Sequence, residues 1–361
     1  QSGDYDATAA GLGQLARYGV TDAFFMRHLW QRWGFDYRFP EICPAAGDTN
    51  AFNRMVGAAR KAGMRFVPHT NYTDFYPDAE GFSYDKVQFR ENGRPASGWF
   101  SAATRALSYF WLPTAIHAPL AKNQRLMKEQ FDPGGVFIDV FTAIVPNNYF
   151  DRAGVFHTKA EMTAEWAKAC EYARATAGDG KGPVISEGGT DHLVGYMDAS
   201  HTDHFAADRW TIDGFADAER VPWQDMVTHG KMLMLGGGFE QRYAATKTDK
   251  ALDMRLHGYG SDDYLVTTVM GGRSPMTEMF SARTVKTHWT IHDVCAVLAR
   301  ERFESHEFVG NIHRQRMSFS NGALVEANRG TNDWRKMSFD IPDGAHAFRW
   351  EYVKDDVNNV G

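Results

Sequence analysis

The chain has 361 residues, 43% of them hydrophobic and 23% charged, with a formal net charge of −6 and three cysteines. That is the profile of a globular protein with room for one large α/β domain and a small accessory one. The acidic balance gives no basic footprint for nucleic acid, no run approaches the roughly 18 apolar residues of a membrane span, and Cys43, Cys170 and Cys295 stand too far apart for a CxxC motif.

Short apolar runs alternate with amphipathic stretches, as repeated βα units require. Residues 4–18 read as a helix leading into a first strand, Asp22–His28. A helix at about 48–62 turns Phe52, Met55, Val56 and Ala59 to one side and ends at Gly63, a natural C-cap. A second strand follows over Met64–Tyr72, and Ala106–Trp111 reads as a third. Residues 114–130 then form a helix and 135–141 a fourth strand. The helix at 158–176 carries Glu161 and Glu165 early and Arg174 late, matching the helix dipole. Residues 183–187 read as strand five and His201–Phe205 as strand six. Met232–Leu235 and Tyr264–Val269 are the candidates for the last two barrel elements, as strand or helix.

Beyond about residue 312 the pattern changes. Arg316–Asn328 is a hairpin around Asn321-Gly322, and Phe339–Ile341 and Ala347–Tyr352 add strands. The expected fold class is α/β: a (β/α)8 TIM-type barrel over 1–310 with a small C-terminal antiparallel β-domain over 311–361.

Two carboxylates end two of the apolar runs, Asp139 in Gly134–Phe141 and Glu187 in Gly182–Gly189. In an α/β barrel the C-terminal strand ends face the active site, and two facing carboxylates are what glycoside hydrolysis requires. Ile138 and Val140 flank Asp139, so alternation turns them away while Asp139 points to the barrel mouth. Gly188 and Gly189 beside Glu187 let a substrate approach closely. Such a pair divides naturally into an ionised member, Asp139, and a proton-holding member, Glu187.

The ends of the first two strands are dense in polar and aromatic residues, which points to something polar bound there. Any one of these residues, taken alone, is read as a satisfied structural side chain. Together, His28, His69, Asn71, Tyr72 and Asp74 are candidates to hold ring hydroxyls, with Trp30, Trp33 and Tyr109 as stacking or wall residues. Aromatics make up 14% of the chain, including ten Trp, and flat rings suit the apolar faces of pyranoses. Asp191, His201 and His204 are further substrate-binding candidates. Their spacing also permits a metal-dependent barrel hydrolase. Barrel zinc sites gather several histidines, however, and the first strand offers only His28, so no metal ligand is assigned. A non-catalytic carbohydrate-binding barrel would keep the aromatics and be indifferent to Asp139. The start at Gln1-Ser2-Gly3, without a signal-like segment, is expected of a processed product or a fragment, with a secreted or periplasmic location favoured.

Pro68–Pro77, Ser108–Pro113, Phe137–Phe141, Ser186–Gly189 and the hairpin ending Val325–Asn328 resemble, in matching order, segments of the endo-α-N-acetylgalactosaminidase-like glycosidases. That group comprises glycoside hydrolase families 101 and 129 and their uncharacterised relatives. The resemblance covers most of residues 20–330. It implies a (β/α)8 barrel and a retaining mechanism on α-linked sugars of galactose or N-acetylgalactosamine type. Asp139 would be the nucleophile ending strand four and Glu187 the acid/base on the next strand. The implied partner is a carbohydrate substrate. No cofactor is required, and a structural calcium ion is compatible with the resemblance, although no EF-hand-like loop is present.

Overall fold

A computed structural model describes residues 4–32, 40–101, 104–201, 221–236, 262–277, 279–311, 314–328, 337–338 and 349–350. The chain divides into two units, residues 1–200 and 201–361.

In the first unit, helix α1 (Tyr5–Arg17) begins where the Asp4 side chain accepts the Ala7 N–H, satisfying one of the free amides of the first turn. It feeds β1 (Phe24–Arg27). Helix α2 (Thr49–Lys61) is capped in the same way by Asp48, which accepts the Ala51 N–H at 2.8 Å. Gly63 ends it at a φ of +73°, with Met64 N donating back to Ala59 O at 2.9 Å. The chain enters β2 (Arg65–Asn71) directly. It then leaves the main sheet for an antiparallel excursion: β3 (Asp74–Phe75), β4 (Ser97–Ser101) and β5 (Ala106–Phe110), in the order β3-β5-β4. Helix α3 (His117–Phe131) returns it to β6 (Val136–Asp139). A small hairpin, β7 (Tyr149–Phe150) and β8 (Phe156–His157), precedes α4 (Lys159–Thr176). Thr158 and Glu161 start α4 with a reciprocal capping box. Last come β9 (Val184–Glu187) and β10 (Ala199–His201).

The main sheet of this unit runs β1-β2-β6-β9-β10. The pairs β1/β2, β2/β6 and β6/β9 are parallel, as βα units dictate. Alternation gives the sheet two faces of different character. Phe25 and Phe66 lie on one face and join a core with Tyr5, Phe52, Met55 and Phe131 from the helices. Val67, His69, Asn71, Phe137, Asp139, Ile185 and Glu187 fall on the other face. The polar members of that set all stand at the C-terminal ends of their strands.

One expectation is corrected. Ala106–Phe110 is not a strand of the main sheet but the centre of the antiparallel excursion, where Asp74 pairs with Phe110 and Phe75 with Tyr109. Asp139 and Glu187 therefore end the third and fourth strands of the parallel sheet. They remain on neighbouring strands.

The second unit holds α5 (Trp223–Thr228), β11 (Leu233–Leu235), α6 (Asp262–Met270) and α7 (Ala282–Leu298). Tyr264–Val269, open between strand and helix in the sequence, is helical. Strands β12 (Phe303–Phe308), β13 (Arg314–Phe319) and β14 (Leu324–Asn328) form an antiparallel sheet. The β13/β14 hairpin closes through Asn321-Gly322 in the register Met317↔Val325, with Gly322 at a φ of +84°. Met317 and Val325 share a core with Val266 of α6 and Ile291 of α7. A fully buried ion pair, Arg273 to Asp225 at 2.7 and 2.8 Å, ties α5 to the segment after α6. Of the further strands expected near the C-terminus, Phe339–Ile341 lies outside the described residues, while Arg349–Trp350 pairs with Met337–Ser338. No described helix is long and apolar enough to cross a membrane.

Phe52 is 1% exposed and its ring meets Tyr5, Phe66 and Phe131 at 5.0–5.9 Å between centroids. Phe52→Ala should therefore cost about 3–5 kcal/mol, by lost burial and the cavity left behind. Denaturant unfolding monitored by circular dichroism will read this as a lower midpoint.

Candidate active site

Backbone pairing sets where the polar side chains stand. His69 is opposite Phe137 and Asn71 opposite Asp139 across β2/β6, while Val136 is opposite Val184 and Phe137 opposite Ile185 across β6/β9. Carrying the second register two residues further brings Asp139 level with Glu187. Asn71, Asp139 and Glu187 thus form one row across three adjacent strands, all on the face away from the helices.

Asn71 is the hinge of this row. Its Oδ1 accepts the N–H groups of Thr73 and Asp74 at 2.7 and 2.9 Å, an Asx-type turn that settles which way the amide faces. Its Nδ2 must then face the carboxylates, and it donates to Asp74 Oδ2 at 3.2 Å and Asp139 Oδ2 at 3.4 Å. The other oxygen of Asp139 lies 3.5 Å from His69 Nε2. The His69 ring is held between His28, at 4.4 Å, and Phe137, stacked at 5.1 Å between centroids. Its backbone carbonyl accepts the Trp30 indole N–H at 2.8 Å.

His28 is the exposed member of the pair, yet it lies among enough protein to lose much of its hydration. That desolvation, reinforced by His69, pushes its pKa down to about 4. Asp139 and Glu187 both pull it the other way, so both carboxylates lie within electrostatic reach of this one ring.

The turns after β6 and β9 are tightly locked. Phe141 N donates to Asp139 O at 2.9 Å across the single residue Val140, whose φ is +69°. This is a γ-turn with a β-branched residue in the left-handed region, a strain of order 1–3 kcal/mol held by its surroundings. Thr142 supplies much of that support, donating from N to Ser186 Oγ at 3.2 Å and from Oγ1 to Glu187 O at 2.6 Å. Gly188, at a φ of +81°, has no room for a side chain, because a Cβ there would meet Ala143 Cα at 2.4 Å. His192 donates from Nε2 to Phe141 O at 2.9 Å and braces the same turn.

Not every expected site residue joins the row. Trp30 is fully buried on the helix side, with Phe52 and Phe131 at 5.9 and 5.4 Å, so it is core rather than a stacking platform. Tyr72 follows Asn71 in alternation and also turns to the helix side. Its hydroxyl accepts Asn123 Nδ2 of α3 at 3.2 Å, and burial raises its pKa far above the usual range. Asp74 belongs to the site's frame. Besides Asn71, it accepts Ser108 Oγ at 2.5 Å and Trp99 N at 3.1 Å, which anchors the excursion to the end of β2. A Cβ at Gly98 would meet Asp74 Oδ1 and Ser108 Oγ, both at 2.6 Å, so a glycine is needed at this contact.

Tyr109 lies half-buried on β5 beside Tyr84, 5.6 Å away, and Asp191 is exposed in the short helical turn after β9. His201 ends β10; Trp33 and His204 lie outside the described residues. Among the described residues no group of three or more His, Cys, Asp or Glu is placed to hold a metal. Sequence reasoning missed Ser108, Thr142 and the positive φ of Val140. Only Ser108 carried a signal, as a hydroxyl inside a motif already marked.

A family model described as a domain of unknown function, DUF6259, matches residues 1–239. No curated protein matches. Among solved structures, the ligand-free α-N-acetylgalactosaminidase from Bifidobacterium bifidum aligns with a TM-score of 0.72 at 17% identity, over 94% of this chain and 53% of that one. The chain thus spans about half the length of that enzyme. A family 36 α-galactosidase from Geobacillus stearothermophilus aligns at 0.58 and 8% identity over 98% of this chain and 52% of that one. An α-amylase from Lactobacillus plantarum aligns at 0.55 and 11% identity, over 95% and 88%. At such identities the likeness establishes an α/β fold shared with glycosidases. It agrees with the resemblance to α-N-acetylgalactosaminidase-like enzymes drawn from the motifs.

Two measurements probe the row. The His28 ring should titrate at about pH 4 in side-chain NMR. Because its pKa is depressed in the folded state, the neutral ring favours folding above the unfolded value of about 6.5. That contribution is lost as pH falls from there toward 4, and His28→Gln should flatten this part of the stability profile. Asn71→Asp keeps the acceptor of the turn but puts an oxygen where the bridging N–H group stood. It should cost about 1–3 kcal/mol at neutral pH, with the deficit in denaturant midpoint shrinking in acid.

Proposed function

The chain belongs to the DUF6259 family, and we propose that it is a retaining glycoside hydrolase acting on α-linked sugars, with Asp139 as nucleophile and Glu187 as acid/base. The observation that supports this reading is the parallel β6/β9 register, Val136↔Val184 and Phe137↔Ile185, which carried two residues further brings the two carboxylates level on neighbouring strands. Adjacent strands lie about 4.8 Å apart. Side-by-side carboxylates at that spacing suit retention, which needs about 5–5.5 Å, whereas inversion needs roughly 6.5–9.5 Å to admit a water. The same reading takes the parallel sheet as part of an eight-stranded barrel followed by antiparallel C-terminal strands.

In the first step Glu187 protonates the glycosidic oxygen as Asp139 attacks the anomeric carbon. The carbon–oxygen bond to the leaving group breaks and a glycosyl ester to Asp139 forms. In the second step Glu187 takes a proton from water, which attacks the same carbon and restores the Asp139 carboxylate. Asn71 donates to one oxygen of Asp139 and His69 Nε2 packs 3.5 Å from the other, so the nucleophile is oriented before substrate arrives. His28, neutral over the working range, can accept or donate a hydrogen bond to a sugar hydroxyl without adding charge. Gly188 lets the turn after Glu187 close against the Thr142–Ala143 backbone. The sugar of choice, on the resemblance and on the name of the B. bifidum enzyme, is galactose or N-acetylgalactosamine.

Hydrolysis of aryl α-glycosides of these two sugars, followed by NMR of the first-formed anomer, tests the mechanism. Retention of the α configuration is expected, with losses on the order of 10³-fold or more in Asp139→Asn. Glu187→Gln should lose most on substrates with poor leaving groups, which need the proton. An inverted product, or an Asp139→Asn variant as active as the parent, rules the mechanism out.

A further inference from the structure

The loops at these strand ends build a second recess. The segment between β3 and β5 meets the connection from β6 to α4 through Phe89 and Phe150, which exchange N–H···O bonds of 2.8 and 3.0 Å. Between them opens a cavity of about 530 Å³, within the usual range for small-ligand sites. Its walls are aromatic: Phe89, Phe110, Phe150 and the 51% exposed Phe156.

Polar groups converge on these rings. Gln88, buried, is held in place by its bonds to Trp111 O at 3.0 Å and from Asn147 Nδ2 at 3.3 Å. Asn148 accepts Lys159 N with its Oδ1 at 2.8 Å, which leaves Nδ2 as the donor available to a ligand. Arg90 reaches Ser97 Oγ at 3.3 Å through one Nη only. Arg90 and Glu91 both line the cavity, yet no ion pair among the described residues joins them. Their charges cancel, so the recess favours a ligand that is neutral overall but rich in donors and acceptors. Flat apolar rings beside such groups suit a pyranose, whose C–H face is apolar and whose hydroxyls lie around its edge.

We propose that this recess is a second saccharide site, distinct from the carboxylate row. A sugar ring packs on Phe156 and Phe150 there, with hydroxyls bonded to Glu91, Arg90 and Asn148. The recess adjoins the row, since Phe110 in its wall pairs with Asp74, and Asp74 holds Asn71. On the glycosidase reading it receives a more distant sugar of a longer glycan; binding itself does not depend on that reading.

The test uses protein carrying 4-fluorophenylalanine, with the Phe156 resonance assigned by its loss in Phe156→Leu. It is titrated by fluorine NMR with methyl glycosides of galactose, glucose and N-acetylgalactosamine. At least one should shift Phe156 saturably, equally in Asp139→Asn, and should bind about tenfold or more weakly in Glu91→Gln/Asn148→Asp. Hydrolysis of a simple aryl glycoside by that double variant should be unchanged. The proposal is overturned if no glycoside moves Phe156, or if the double variant binds as well as the parent. Absence of hydrolysis with the fluorine shift intact would defeat the mechanism above and leave this site standing.

Discussion

The placement of β6 between β2 and β9 is the constraint on which the rest depends. Both neighbours pair with it in parallel, so the ladder decides which side chains stand level at the strand ends. A slip of one residue would turn Asp139 into the helix layer and bring Ile138 to its place. The fully buried Ile138 and Val136 on one face, and the polar strand ends on the other, make that slip expensive. Hydrophobic burial behind the sheet thus holds the polar row in register.

Once the row exists, its polar groups have to satisfy one another. A buried amide between two carboxylates is an advantage only if each of its atoms has a partner. Asn71 meets that demand by giving its oxygen to the β2–β3 turn and its nitrogen to Asp74 and Asp139. Asp74 in turn holds Ser108 and the backbone of Trp99, so the antiparallel excursion is fastened to the same cluster. The unfavourable backbone at Val140 is kept by Thr142, His192 and the close packing of Gly188. Backbone strain braced on several sides in this way clusters at functional sites.

The aromatic residues divide between two tasks. Trp30, Phe52, Phe66 and Phe131 build the layer between sheet and helices, where burial is their whole contribution. The rings of the loops, with Phe150 and Phe156 among them, face a recess rimmed by charged and amide groups. Composition alone cannot separate the tasks, because a ring in a core and a ring under a ligand look the same in a residue count. Strand alternation separates them near β2, where Asn71 faces the row and Tyr72 the helices.

Much of this was legible from local chemistry. The apolar runs ending at Asp139 and Glu187, the cap at Gly63, the helix beginning near 158, and the Asn321-Gly322 hairpin all follow from short-range rules, and each is present. The same rules could not tell that Ala106–Phe110 pairs antiparallel with Asp74-Phe75, since a five-residue apolar run suits either kind of sheet. Nor could they show that Trp30 is core, because its neighbours His28 and Trp33 drew it toward the mouth. The sequence by itself determined which residues could be strands and which polar groups stand at their ends, because period and capping are properties of neighbouring residues. Only the tertiary structure decided which strands are adjacent, that the Asn71 amide meets Asp139, and which contacts brace Val140 at its positive φ. Those depend on long-range pairing between segments tens of residues apart, which no local pattern encodes.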